Sequence, residues 1–197
     1  MRACLLIDYQ NIHLTGHDAF CPEGVPRHES LLLPGSYAQQ IEDVRAAMAP
    51  TEVAQTHIDR IVVFRGMPSN RKQPEAYSRS QAQFSQWSLD RRVEIAKRPL
   101  RYPPGWPDVP AQEKGIDVML AVELIQVAMG GKFDVVIVAT HDTDLEPAIE
   151  TAEGLGSTVV ETAGWQGRKR LRGGRGDRWH TFLNGAHFVR CRDRNLY

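Results

Sequence analysis

The chain reads as an α/β domain in which a mainly parallel central sheet is covered by helices on both faces. Three observations predict this. The apolar runs Ala3-Cys4-Leu5-Leu6-Ile7 and Val135-Val136-Ile137-Val138-Ala139 are continuous rather than alternating, as in strands buried on both faces. Stretches of strand and helix periodicity then alternate along the chain, which calls for right-handed crossovers and brings every strand's carboxyl end to one side. Finally, both runs end in acid: Asp8 follows the first, and Asp142 and Asp144 follow the second. Ligands of such sheets bind beyond the carboxyl ends of the strands.

Taken in order, the first strand spans residues 2 to 7. A Pro-, Gly- and His-rich stretch from about Leu14 to Ser36 lacks periodicity and is expected to be a surface excursion. Tyr37, Ile41, Val44 and Met48 recur at helical spacing before Pro50 ends the pattern. Ile61 to Phe64 is the second strand, followed by a loop over 65–72 and a helix from about Pro74 to Leu89. Val93 to Ala96 is the third strand, and the prolines of 103–110 enforce a loop. The most apolar helix covers 115–129, a fourth strand 133–139, a helix 144–153 and a fifth strand 157–161. Gly167 to Gly176 reads as a flexible basic loop, and the end supplies a short helix and a strand at His187-Phe188-Val189-Arg190-Cys191. There is no internal repeat. The expected organisation is one domain over 1–197, with a core of about 1–161, a basic loop at 165–178 and a terminal helix and strand at 179–197.

At 197 residues with 42% hydrophobic content, the chain can bury a sizeable core, and disorder is excluded. Its net charge is zero but unevenly spread: residues 1–164 hold 15 basic and 22 acidic residues, and 165–197 hold 9 and 2. A basic end beside an acidic site suits an enzyme acting on a polyanion, although a charge run alone more often marks a solvated surface. Cys4, Cys21 and Cys191 show neither zinc-knuckle nor disulfide spacing, which fits a reducing cytosol. The five-residue apolar strand at the start is too short for a signal-peptide core and no segment approaches a bilayer span, so a cytoplasmic location and no membrane partner are expected.

The chemistry centres on Asp8, Asp117, Asp142 and Asp144. Asp117 opens the helical pattern of KGIDVMLAVEL at 114–124. Each has an ordinary explanation: Asp142 or Asp144 as a helix cap, Asp117 as an acid in a helix's first turn, Asp8 as a turn former. Gathered at one sheet edge, however, four carboxylates repel each other and resist desolvation unless protons or a cation relieve them. Oxygen-only donors suit magnesium or manganese. The reading is therefore a divalent-metal site. Asn11 and Thr140 either orient a water or phosphate or serve local turns. Glu123, six residues after Asp117 and so on another side of the helix, is left out of the metal set.

Three blocks, IDYQN at 7–11, KGID with VMLAVEL at 114–124 and VVIVATHDTDL at 135–145, resemble the acidic motifs of NYN domains, which belong to the PIN-like nucleases. The order and spacing of the blocks are specific as a set. The resemblance implies a PIN-like three-layer α/β/α domain and a Mg2+- or Mn2+-dependent ribonuclease, and the family pattern maps onto Asp8, Asn11, Asp117, Asp142 and Asp144 as catalytic residues. Two departures stand out. Tyr9 and Gln10 follow the first aspartate where the family commonly has glycine, and Thr140-His141-Asp142-Thr143-Asp144-Leu145 replaces the frequent Ser-Gly-Asp-Gly-Asp-Phe. The ligand types survive; the bulkier neighbours bear on substrate access.

Arg65, Arg71, Lys72 and Lys114 flank the acidic edge in sequence and are candidate phosphate contacts, as is Thr140. In the tail, Arg168, Lys169 and Arg170, with Arg172 and Arg175, lie between Trp165 and Trp179, a set able to grip single-stranded RNA by charge and stacking. Both tryptophans serve equally well as core anchors. The predicted activity is metal-dependent endoribonucleolytic hydrolysis leaving 5′-phosphate and 3′-hydroxyl ends. Two alternatives stand beside it: a non-catalytic RNA-binding or protein-interaction module, and a structure-selective DNA nuclease. A metal-free histidine mechanism drawing on His13, His17 or His141 is disfavoured because nothing sets two histidines opposite each other. An aspartyl-phosphate phosphatase is disfavoured because Gln10 stands where its second acid belongs. RNA is the expected partner; a regulatory protein or antitoxin, and self-association into a homo-oligomer, stay open.

Overall fold

Six strands form one wholly parallel sheet in the order β3-β2-β1-β4-β5-β6. The structure is a computed structural model that describes residues 1–48, 56–156, 158–172, 178–195 and 197. Its elements are β1 (Arg2–Asp8), α1 (Tyr9–Phe20), a 3-10 turn (Arg27–Glu29), α2 (Pro34–Met48), β2 (His57–Met67), α3 (Pro74–Trp87) and β3 (Val93–Pro99). They continue with α4 (Ile116–Gly130), β4 (Val135–Ala139), a 3-10 turn (Thr143–Leu145), α5 (Glu146–Gly154), β5 (Val159–Trp165), β6 (His180–Leu183) and α6 (Gly185–Cys191). The predicted α/β/α architecture is observed, and every strand pairing is parallel.

The sheet separates two cores. Ala3, Leu5 and Ile7 point to one face and pack with Ile12, Ile41, Phe84, Trp87 and Phe188 from α1, α2, α3 and α6. Cys4 and Leu6 point to the other and pack with Leu120, Leu124, Ile149 and Ala152 from α4 and α5. Alternation along a strand that is covered on both sides produces the continuous apolar runs seen in the sequence. No helix among the described residues is long and apolar enough to cross a membrane, and Cys4, Cys21 and Cys191 are unpaired.

The structure corrects three expectations. Residues 9–20 form a helix, so the surface excursion expected from about Leu14 opens inside regular structure: Asp8 caps the helix, accepting from the Asn11 amide at 3.2 Å, and Tyr9, Ile12, His13 and Gly16 are buried along one face. Histidines and glycine on the buried side had hidden the period. In the tail, strand and helix exchange places. Residues 187–191 are helical because Asn184 and His187 form a reciprocal capping box and Phe188 and Cys191 share the buried face, while His180–Leu183 is the strand, paired with β5. The fifth strand also runs to Trp165, beyond the expected end at 161. Pro50 and residues 173–177 of the expected basic loop lie outside the described residues.

One charged pair crosses the first core. Arg45 of α2 donates from Nε and Nη2 to Glu161 of β5 at 3.0 and 2.8 Å, and both side chains are buried. Removing one member of such a pair leaves an uncompensated buried charge, which costs about 3–5 kcal/mol. Glu161→Ala is therefore expected to lower unfolding stability by about that amount in urea titration, whereas Arg2→Ala, which breaks the exposed Arg2–Asp59 pair, is expected to cost less than about 1 kcal/mol.

Candidate metal centre and nucleic-acid interface

β1 and β4 lie side by side with Ile7 opposite Ala139, so Asp8 and Thr140 emerge together at the carboxyl edge. Asp8 is almost completely buried, at 4% exposure. One carboxylate oxygen accepts from the Asn11 amide, and the other accepts from the Thr140 hydroxyl at 3.0 Å. The Thr140 oxygen in turn accepts from the Asp142 amide at 3.1 Å, and Asp142 caps the following turn by accepting from the Asp144 amide at 2.9 Å. Asn11 closes the circuit: its side-chain oxygen accepts from the His141 amide at 2.8 Å. Cap and acid are thus not competing readings of Asp8 and Asp142, because each uses only one carboxylate oxygen for its cap.

Asp117 enters from the first turn of α4, which begins after Gly115 in the left-handed conformation at φ 76°. Its carboxyl is raised above the usual range by desolvation and then by the charges of Asp142 and Asp144. Glu113 is a further acid at this edge. It accepts from the Gly66 amide, and with the Gln10 amide nitrogen turned toward it, Gln10 donates to it at 2.9 Å. Burial raises the Glu113 carboxyl, the Gly66 bond and Arg65 pull it down, and Asp117 raises it again. Asp8 is pushed up to about 7, chiefly by burial, with Asp117 and Glu113 adding to the rise against the opposing hydrogen bonds from Asn11 and Thr140. Sequence reasoning missed Glu113. The available signal was its position directly before Lys114 in a loop that must return to the acidic edge.

Among the described residues, no three His, Cys, Asp or Glu side chains converge tightly enough to hold a metal ion as they stand. The donor set still fits a hard cation. It is made of oxygens alone, Asp142 and Asp144 raise the proton affinity of Asp117 and Asp117 that of Asp8, and Mg2+ keeps several waters while taking only one or two carboxylates directly. Glu123 stands apart as expected, paired with Arg60 at 2.6 Å well back from the edge.

The basic candidates divide. Arg71, Lys72, Lys114, Lys169 and Arg170 are exposed, and Arg168 is half-buried. Lys72 sits 4.7 Å from the Tyr102 ring centre and 5.6 Å from that of Trp106. Arg65, in contrast, turns to the α1 and α3 face, where its guanidinium lies 4.8 Å from the Tyr9 ring and 5.4 Å from Trp87 and donates to Gln83. Thr140 is fully buried and orients Asp8 rather than facing solvent. Trp165 is a core anchor, fully buried, with its indole N–H donating to the Ile12 carbonyl at 2.7 Å. Trp179 is half-buried and donates to Thr181 at 3.1 Å.

The histidines near the acids are occupied structurally. His141 Nε2 accepts from the Trp165 amide at 3.0 Å, which leaves Nδ1 to donate to the Lys169 carbonyl at 2.9 Å. The ring is therefore neutral, consistent with burial lowering its pKa, and a Cβ on Gly164 would collide with it. His13 is bonded to the Arg27 carbonyl at 3.0 Å and is pushed down to about 4 by burial.

A sequence profile of the NYN domain matches residues 2–170. No curated protein sequence matches significantly. Among solved structures, the chain is similar to a protein of unknown function from Vibrio parahaemolyticus, at TM-score 0.51 and 14% identity, covering 98% of this chain and 89% of that one. That likeness concerns the fold.

The Asp8 shift generates a pH prediction. With a folded pKa near 7 against an unfolded value near 3.8, the folded state binds the extra proton between these values. The contribution of Asp8 to stability is therefore fully present below the unfolded value and is lost as pH rises toward 7. In EDTA, Asp8→Asn is expected to melt close to wild type near pH 4 and about 5 °C or more above it at pH 8, as read by thermal denaturation at both pH values. Equal shifts at the two pH values would show that ionised Asp8 carries no such cost.

Proposed function

Because the chain belongs to the NYN domain family, a family of nuclease-type domains, we propose that it is a metal-dependent endoribonuclease that hydrolyses RNA phosphodiester bonds and leaves 5′-phosphate and 3′-hydroxyl ends. The observation that carries this reading is the gathering of Asp8, Asp117, Asp142 and Asp144, with Glu113 beside them, at the carboxyl edge of a parallel sheet where Asp8 and Asp117 are driven toward protonation by burial and by their neighbours. Mutual repulsion of this kind is a cost to the free protein that a bound cation would relieve.

Asp8, Asp117, Asp142 and Asp144 are the residues that would hold Mg2+ or Mn2+. When bound, such an ion neutralises a scissile phosphate and lowers the pKa of a water nucleophile. The chain's own part is positioning. Thr140 fixes one oxygen of Asp8, and the Asn11 amide fixes the other. The Asn11 side chain also locks the β4 turn to α1 through the His141 amide, so the aspartates of both turns are held in one rigid arrangement. Exposed Arg71, Lys72, Lys114, Lys169 and Arg170, with half-buried Arg168, are the phosphate contacts this reading assigns. The ring pair Tyr102 and Trp106, beside Lys72, adds a surface on which a base can stack. A cytoplasmic setting fits the three unpaired cysteines.

The test is cleavage of a 5′-labelled RNA and a matched DNA in Mg2+ or Mn2+, with and without EDTA. Asp142→Asn is the informative variant, because an asparagine oxygen still caps the turn by accepting from the Asp144 amide while the charge is removed. Metal-dependent cutting of RNA is expected, with 5′-phosphate ends and a loss of about 100-fold or more in the variant. RNA binding without any cleavage would favour the binding module, preferential cutting of DNA the DNA nuclease, and cyclic-phosphate ends would overturn the hydrolytic mechanism.

A further inference from the structure

A cavity of about 770 Å³ opens on the sheet face opposite the acids, between α3 and the final segment of the chain. That volume suits a nucleotide-sized ligand. Its floor is Arg65, at the end of β2 next to the strand that ends in Asp8. One wall is α3, with Arg79 and Gln83. The other is the segment after α6, which is clipped to residues 31–33: the Leu33 amide donates to the Cys191 carbonyl at 2.9 Å, and the Asp193 amide donates to the Leu31 carbonyl at 2.7 Å.

The charge lining the cavity is positive. Arg65, Arg79, Arg192 and Arg194 stand against Glu29 and Asp193. Asp193 is buried, at 6% exposure, and its oxygens already accept from the Asn195 amide groups and the Tyr197 hydroxyl. Among the described residues no carboxylate lies within ion-pair distance of Arg65, although the Glu113 charge favours its guanidinium from further off; the guanidinium is held by three aromatic rings and the Gln83 oxygen. A partly buried guanidinium that touches no carboxylate is stabilised by an anion, and its planar fork suits a phosphate. The neutral His13 ring at the same cavity adds no competing charge.

We infer that this cavity is a phosphate-binding subsite that takes a nucleotide of the RNA strand adjacent to the one being cut, with Arg65 at its floor and Arg79 and Arg192 at its rim. The inference rests on the ribonuclease reading for the identity of the strand. The placement follows from the fold: β1 and β2 are neighbours, about 4.8 Å apart, so a strand crossing the carboxyl edge meets the acids on one face and Arg65 on the other within a few nucleotides.

The test is binding of a fluorescein-labelled single-stranded RNA by anisotropy in EDTA, on the Asp142→Asn background, over a series of salt concentrations. Arg79→Ala and Arg192→Ala alter the rim and spare the aromatic box; Arg65→Met retains packing there, and Arg65→Lys restores charge without the fork. Each rim variant is expected to weaken binding about tenfold at low salt and to reduce the slope of log K against log salt by about 0.7 per lost phosphate contact. Arg65→Met is expected to do the same, with Arg65→Lys recovering part of the loss. If the rim variants leave affinity and slope unchanged while RNA is bound, the subsite is refuted even if cleavage is confirmed. If RNA binds through these arginines but is not cut by the native protein, the subsite stands and the nuclease reading falls. Titration with adenosine monophosphate distinguishes the source of the phosphate: micromolar binding of the free nucleotide, lost in Arg65→Met while RNA affinity is unchanged, would overturn the strand assignment.

Discussion

The hydrogen bond from Thr140 to Asp8 joins the last turn of β1 to the last turn of β4, and the arrangement of the site follows from it. It exists because these two strands are adjacent in the middle of the sheet. The chain leaves them in opposite directions. After β1 it turns into α1, which packs on the face of Ile7; after β4 it turns into α5, which packs on the face of Leu6. Where neighbouring strands send their helices to opposite faces, the connections diverge and a crevice opens at the carboxyl edge. Asp8 and Asp142 line that crevice as the N-caps of the two diverging connections. Moving either strand in the order would separate them.

Each aspartate is also a structural residue, and this gives the site its rigidity and its cost. Asp8 and Asp142 each cap the turn that follows, so their carboxylates cannot swing away from one another without uncapping it. The same fixation holds Asp8 in a dry environment beside Asp117 and Glu113, where its charge is unfavourable. A sequence optimised for stability alone would avoid this. Local conflicts of this kind, retained against the interest of the fold, are expected at functional sites.

How much of this was legible in the sequence depends on what each residue reports. β1 and β4 were plain because both faces are buried and the apolar run is unbroken. α4 was plain for a different reason: it is apolar nearly all round, with Val118, Val122 and Met129 exposed as well as Leu120 and Leu124 buried. α1 was not legible, because its buried side contains His13 and Gly16, whose roles depend on residues far along the chain: the Arg27 carbonyl for one and the Trp165 ring for the other. The tail failed similarly. Nothing local distinguishes a strand from a helix at His187–Cys191 except the capping box at Asn184, and β6 is identified by its pairing with β5. Within the site, the aspartates were readable from their positions at strand and helix ends. Glu113 was not, since it lies in a loop whose path is set by the Gly66 amide it binds. The side-chain direction of Arg65 was missed because one residue of register decides which face of the sheet it joins.

That alternation also accounts for the uneven charge of the chain. Asp8 and Phe64 pair across β1 and β2 and share a face with Leu6 and α4, so the acids accumulate there. Arg65, one position further, lies on the other face, and the end of the chain returns to that same face because the Asp193 amide binds the Leu31 carbonyl and Leu33 binds Cys191. The basic tail is thereby divided. Arg178 is committed to Glu153 of α5, while Arg192 and Arg194 line the Arg65 cavity. Asp8 and Arg65 are kept on opposite faces of one sheet rather than pairing with each other. A polyanion lying across the carboxyl edge would bring its phosphates to both, whereas direct pairing of Arg65 with Asp8 would have consumed the charges each face needs.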